Sequence, residues 1–240
     1  MADDSIPRRG FLVGAGTALA AGLASPAPVD AQTAPAASTA PTAVPAPADA
    51  EPLLTLNATE AAFIVAAVDT LIPADELSPS GSACGVAAFI DRQLAGAYGS
   101  GARLYRAGPF RNGKPELGYQ LALTPREFFR AGIAAANDWT RKTYGKELDR
   151  LKEADREAAL KAMEAGKAEL VGLAGKAFFE ALLQITMEGF FADPVYGGNR
   201  DMASWKMVGY PGLPANYRED IKRYFGSRYD KPPRSIADFS

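Results

Sequence analysis

Large apolar side chains recur every three or four residues through most of the chain beyond residue 53. Phe63, Ile64, Ala67, Val68, Leu71 and Ile72 fall on one face of a helix. Asn57, followed three residues later by Glu60, is a capping-box start, and Pro73 stops the run. A second helix is expected over 84–97, with Val86, Phe89, Ile90 and Leu94 inward. Thr124-Pro125-Arg126-Glu127 is the clearest start signal. Thr caps, Pro suits the first helical position and Glu the third, so a helix should run to Tyr144 and stop at Gly145. A charged amphipathic helix follows over 152–165, then a long apolar one over 168–191 carrying Leu170, Leu173, Phe178, Leu182, Leu183, Ile185 and Met187. A short helix is expected over 217–225. The glycine- and aromatic-rich stretch 99–123 reads as a short helix over 102–106 and then loop. No alternating run of β-branched residues appears. The pattern predicts an all-α domain over 53–240, an irregular bundle of about six helices with long loops.

The first part of the chain has a different pattern. Arg8, Arg9, Phe11 and Leu12 precede an apolar, small-residue run over 13–24 and then Val29-Asp30-Ala31, a basic start, short apolar stretch and small residues at a cleavage point. The run is too short to span a bilayer core of ~30 Å comfortably. The Arg pair followed by Phe-Leu resembles a twin-arginine signal, although Pro7 and Val13 stand where a hydroxyl residue and a Lys are common. Residues 1–31 are read as that signal peptide, which implies the twin-arginine translocon as a partner and the periplasm as destination. Gly14-Ala15-Gly16 imitates a dinucleotide fingerprint, but no strand precedes it and the third glycine is missing. Residues 32–52 are Ala, Pro, Thr and Ser with almost no large apolar side chain, the composition of a disordered tether.

Composition narrows the chemistry. Basic and acidic residues nearly cancel, 26 against 28, so no electrostatic footprint for nucleic acid exists. There is no histidine and one cysteine, Cys84. Histidine-based triads, ordinary zinc sites, cysteine-ligated clusters and covalent haem c attachment are therefore excluded from this chain. No catalytic, cofactor-binding or metal-binding residue is assigned. Cys84 is either a buried apolar thiol or half of an intermolecular disulfide.

The segment 189–212 mixes glycines and prolines with aromatic and charged side chains: Phe190, Phe191, Tyr196, Asn199, Arg200, Asp201, Trp205 and Tyr210. Such residues are enriched at protein contacts, and they form the candidate partner interface, with no more than about half of the five aromatics expected at the surface. The segment resembles the gluconate 2-dehydrogenase subunit 3 family, the run from Asp193 to Pro211 most specifically. The twin-arginine start, Leu71-Ile72-Pro73-Ala74-Asp75, Phe89-Ile90-Asp91 and Tyr105-Arg106-Ala107-Gly108-Pro109-Phe110 extend the resemblance. It implies a non-catalytic small subunit of a membrane-associated dehydrogenase acting on a sugar or sugar acid. FAD would lie in a large partner subunit and haem c in a multihaem cytochrome subunit. The small subunit would support folding, export and assembly of the flavoprotein.

Blander readings stand beside these. The 193–212 segment is also what a packed Ω-like loop requires. Arg200 and Asp201 could form a local ion pair, worth little if exposed. Asp75 and Glu76 read as solvated carboxylates as readily as an acid–base pair. Two other functions remain open: a free-standing periplasmic enzyme using Asp193 and Asp201 with a metal or flavin, and a binding module with no redox partner.

Overall fold

The computed structural model divides the chain into two units, Met1–Ala48 and Asp49–Ser240. It describes residues 52–239 except 112, 115–117, 214 and 215. The expected signal peptide with Arg8, Arg9, Phe11 and Leu12, and nearly all of the expected tether, lie outside the described residues.

The described residues form seven α-helices and no strand: α1 (Ala58–Leu71), α2 (Val86–Ala95), α3 (Pro125–Tyr144), α4 (Glu153–Glu164), α5 (Gly175–Phe191), α6 (Ala203–Val208) and α7 (Arg218–Arg223). The all-α irregular bundle expected from the periodicity is what the chain adopts. No helix among the described residues is long and apolar enough to cross a membrane.

Local chemistry accounts for the helix starts. Asn57 accepts from the Glu60 amide at 2.9 Å while Glu60 accepts from the Asn57 amide at 2.9 Å. Thr124 and Glu127 make the same reciprocal box at α3, with Pro125 at its first position. Gly145 ends α3 in the left-handed region, at φ 79°.

α1 and α5 are the centre. α1 packs on α2, α3 and α4, and α5 packs on the same three helices. Phe63 of α1, Phe128 and Phe129 of α3 and Phe178 of α5 meet ring to ring, with centroids 6.1–6.3 Å apart. The offset and edge-on angles between them are those that aromatic quadrupoles favour. Asp91, buried on α2, accepts the amides of Leu54, Thr55 and Leu56 at 2.6–3.0 Å. That carboxylate holds the chain leading into α1 against the bundle, which gives Phe89-Ile90-Asp91 a structural purpose.

Three expectations need correction. α2 begins at Val86 rather than residue 84, because Gly85 is left-handed (φ 80°) and Cys84 belongs to the preceding turn. No helix forms over 102–106; the chain turns there instead. α5 begins at Gly175 rather than 168, since Gly172 at φ 86° breaks the backbone while Leu170 still reaches the core. The apolar period thus runs through a loop. The short α6 and the single turn Leu148–Arg150 carry no period long enough to read.

Candidate functional site

The segment after α5 folds back over the junction of α2 and α5. Asp193 caps a single turn, Pro194–Tyr196, by accepting from the Val195 amide at 3.0 Å. The chain then passes through Gly197 and Gly198 so close to the bundle that neither position has room for a side chain. A Cβ on Gly198 would overlap the Gly189 carbonyl of α5, and the Arg92 guanidinium of α2 fills the space beside Gly197. From the other side, the Gly197 carbonyl fills the space where Gly85 would carry a Cβ. The Arg200 amide donates to the Cys84 carbonyl at 2.9 Å. The loop is thereby seated on the turn before α2.

Three residues without glycine's freedom adopt positive φ around this point: Asn199 (46°), Asp201 (57°) and Met202 (55°). Each left-handed residue of this kind costs on the order of 1 kcal/mol, so the surroundings must hold them there. Asn199 does much of this. It is fully buried; its Nδ2 donates to the Ala192 carbonyl at 2.9 Å and its Oδ1 accepts from the Ser204 amide at 2.9 Å and hydroxyl at 2.8 Å. Trp205, 6% exposed, donates from Nε1 to the Phe191 carbonyl at 3.0 Å and so closes the end of α5. Tyr210 stacks edge-on against Trp205, centroids 5.1 Å apart.

The eight sequence-nominated residues therefore separate into two sets. Asn199, Phe190 and Trp205 are buried and hold the segment together; they are not surface contacts, which corrects their nomination as interface groups. Phe191, Tyr196, Arg200, Asp201 and Tyr210 face outward. Three of the five aromatics are exposed, slightly more than expected. Trp205 is tied to the Phe191 carbonyl on one hand and to the Tyr210 ring on the other. The sequence reading missed Val195 and Val208, both about half exposed, and Met187, one helical turn before Phe191 on α5. The Met187–Phe191 spacing, off the face that carries Phe178, Leu182 and Ile185, was a readable signal for the last of these.

Cys84 is 1% exposed, and its thiol donates to the Pro79 carbonyl at 3.6 Å. Burial pushes its pKa up, against a smaller opposing pull from Arg200. The thiol is enclosed within the chain, which is the environment of the buried-thiol alternative. Both oxygens of Asp193 are engaged, the second by the Ile236 amide at 2.9 Å. That carboxylate ties the C-terminal tail to the segment and is not poised for catalysis. Asp75 accepts the Leu77 and Ser78 amides at 2.8 and 2.9 Å, an ordinary turn in the solvent.

The family model for gluconate 2-dehydrogenase subunit 3 matches residues 58–212. The chain belongs to this family. No curated protein and no solved structure matches it. The match to subunit 3 begins at the first residue of α1 and ends at Gly212, where the tail crosses back by an isolated bridge to Arg234. It spans the bundle and the seated segment together, so as a family member the chain is a gluconate 2-dehydrogenase-like subunit whose 193–212 segment is an integral part of the fold.

Proposed function

We infer that the chain is the non-catalytic small subunit of a periplasmic, membrane-associated, FAD-dependent dehydrogenase, and that it supports folding, export and assembly of the flavoprotein. The observation that carries this reading is the family match across the bundle and the 193–212 segment, combined with the two-sided build of that segment. Its inner side is fixed by Asn199, Gly198 and Trp205, and its outer side presents Phe191, Tyr196, Arg200, Asp201 and Tyr210 on a rigid support. Aromatic and Arg side chains on a backbone already fixed by the fold are what a docking site needs, because little backbone entropy is left to lose on binding.

FAD is assigned to the partner. A Rossmann-type dinucleotide site is built on a strand leading into its glycine loop and helix, and the described residues contain no strand, which supports this assignment. Haem c, where a cytochrome subunit is present, is likewise assigned outside this chain, which has one cysteine and no histidine. The twin-arginine route suits this assignment, since a flavoprotein loaded in the cytoplasm could cross folded on the signal of its small subunit.

The test is binding by variants of the outward aromatics. Phe191→Ala with Tyr210→Ala should abolish association with the flavoprotein while thermal stability stays close to wild type. Retained association in that double variant would remove the segment from the interface.

A further inference from the structure

The tail beyond the matched residues builds a small unit of its own. α7 is followed by a turn at Gly226 (φ 72°), and the returning chain is locked back onto the helix. The Asp220 carboxylate accepts from the Tyr229 hydroxyl at 2.9 Å and the Lys231 ammonium at 2.5 Å. Tyr229 packs edge-on against Tyr217 and Tyr224, with centroids 6.2 and 5.0 Å apart, and Lys231 lies 5.6 Å from the ring centres of both Tyr224 and Tyr229. This lock leaves two large apolar side chains outside it. Ile221, on α7, is 68% exposed, and Phe225, in the turn just beyond that helix, is 90% exposed. The basic residues of the same stretch, Arg218, Lys222, Arg223 and Arg228, are all exposed. The acids nearby are Glu219, 3.5 Å from Lys222, then Asp220, already held by Lys231, and Asp230 on the returning limb.

We propose that this tip is a lipid-contact foot: Phe225 and Ile221 enter the headgroup–acyl boundary of an anionic bilayer while Arg218, Lys222, Arg223 and Arg228 lie against its phosphates. Bulky apolar groups among basic ones suit an anionic membrane surface, whose potential attracts the cations while its interface takes up the side chains. The core of a protein–protein contact is instead depleted of charge and needs on the order of 800 Å² per partner, far more than two isolated side chains supply. Tyr217, Tyr224 and Tyr229 are of the type that settles at headgroup level. The inference goes beyond the flavoprotein reading and needs only this chain and a bilayer.

The experiment is sedimentation of the full chain with vesicles of phosphatidylcholine and phosphatidylglycerol in equal parts, against pure phosphatidylcholine. Binding should favour the anionic vesicles and weaken with salt. Ile221→Ala with Phe225→Ala should lower the partition roughly tenfold or more, and Lys222→Gln and Arg223→Gln about fivefold each. The N-terminal segment is common to all these proteins, so its contribution is the same in each. Phe225→Trp gives an independent reading: its emission, after subtraction of the wild-type signal, should move to the blue on anionic vesicles. Unchanged partition in the double Ala variant, or no shift from the new Trp, overturns the proposal. Loss of a co-purifying protein with unchanged partition would overturn it too and assign the tip to protein docking.

Discussion

Asn199 occupies the point where the 193–212 segment is most strained, and its three hydrogen bonds run to backbone or side-chain groups on both sides of that strain. Asn199→Ala removes all of them and leaves the Ser204 amide and hydroxyl buried without this acceptor. The expected loss is about 2–3 kcal/mol, from the desolvation of unsatisfied groups, measured by urea unfolding. Phe191→Ala and Tyr210→Ala remove half-exposed rings and should each cost less than about 1 kcal/mol. Stability and partner binding should therefore separate by residue: the buried members of the segment affect the first and the outward members the second. Which aromatic falls in which set was not legible in the sequence. Trp205 is anchored by a carbonyl fourteen positions earlier, and distant backbone lies where Gly85 and Gly198 would carry a Cβ. Periodicity reports the face of a helix; it carries no signal for contacts of this kind in a loop.

Among the elements, the starts of α1 and α3 were readable to the residue because both capping boxes are local chemistry within four positions. Thr124→Ala should destabilise the fold by about 1 kcal/mol, with faster amide exchange confined at first to the opening turn of α3. Glu127 in the same box has its pKa lowered, first by its hydrogen bond from the Thr124 amide and then by that from the Thr124 hydroxyl. A carboxylate depressed in the folded state contributes stability that is full above its ordinary value of 4.5 and is lost as pH falls through the folded pKa. Asp220, lowered by Lys231 and Tyr229, has the same sign. Acid titration should therefore loosen the α3 start and the α7 lock below the ordinary carboxylate range, and Glu127→Gln should remove the first of these responses. The start of α5 was misread for the opposite reason. Leu170 is core in a loop, so its apolar character extended the helical period across a break set by Gly172.

For the whole molecule, the class and the central bundle followed from hydrophobic spacing, while the function rests on family membership and on one surface. Two properties follow for the intact chain. Replacing Arg8 and Arg9 with Lys should leave the protein in the cytoplasm, since the translocon reads the guanidinium pair rather than charge alone; cell fractionation measures this, and unimpaired export would contradict the twin-arginine reading. The central claim, that this is a partner-bound subunit without a cofactor of its own, is tested most directly by tagging the chain in its native cells and isolating it from the membrane fraction. The bound chains would then be identified and the flavin spectrum recorded for the complex and for the chain alone. The account predicts a second, larger polypeptide that carries all the FAD, and a colourless small chain once the two are separated. A chain that emerges without a partner, or that keeps stoichiometric FAD after separation, would contradict it.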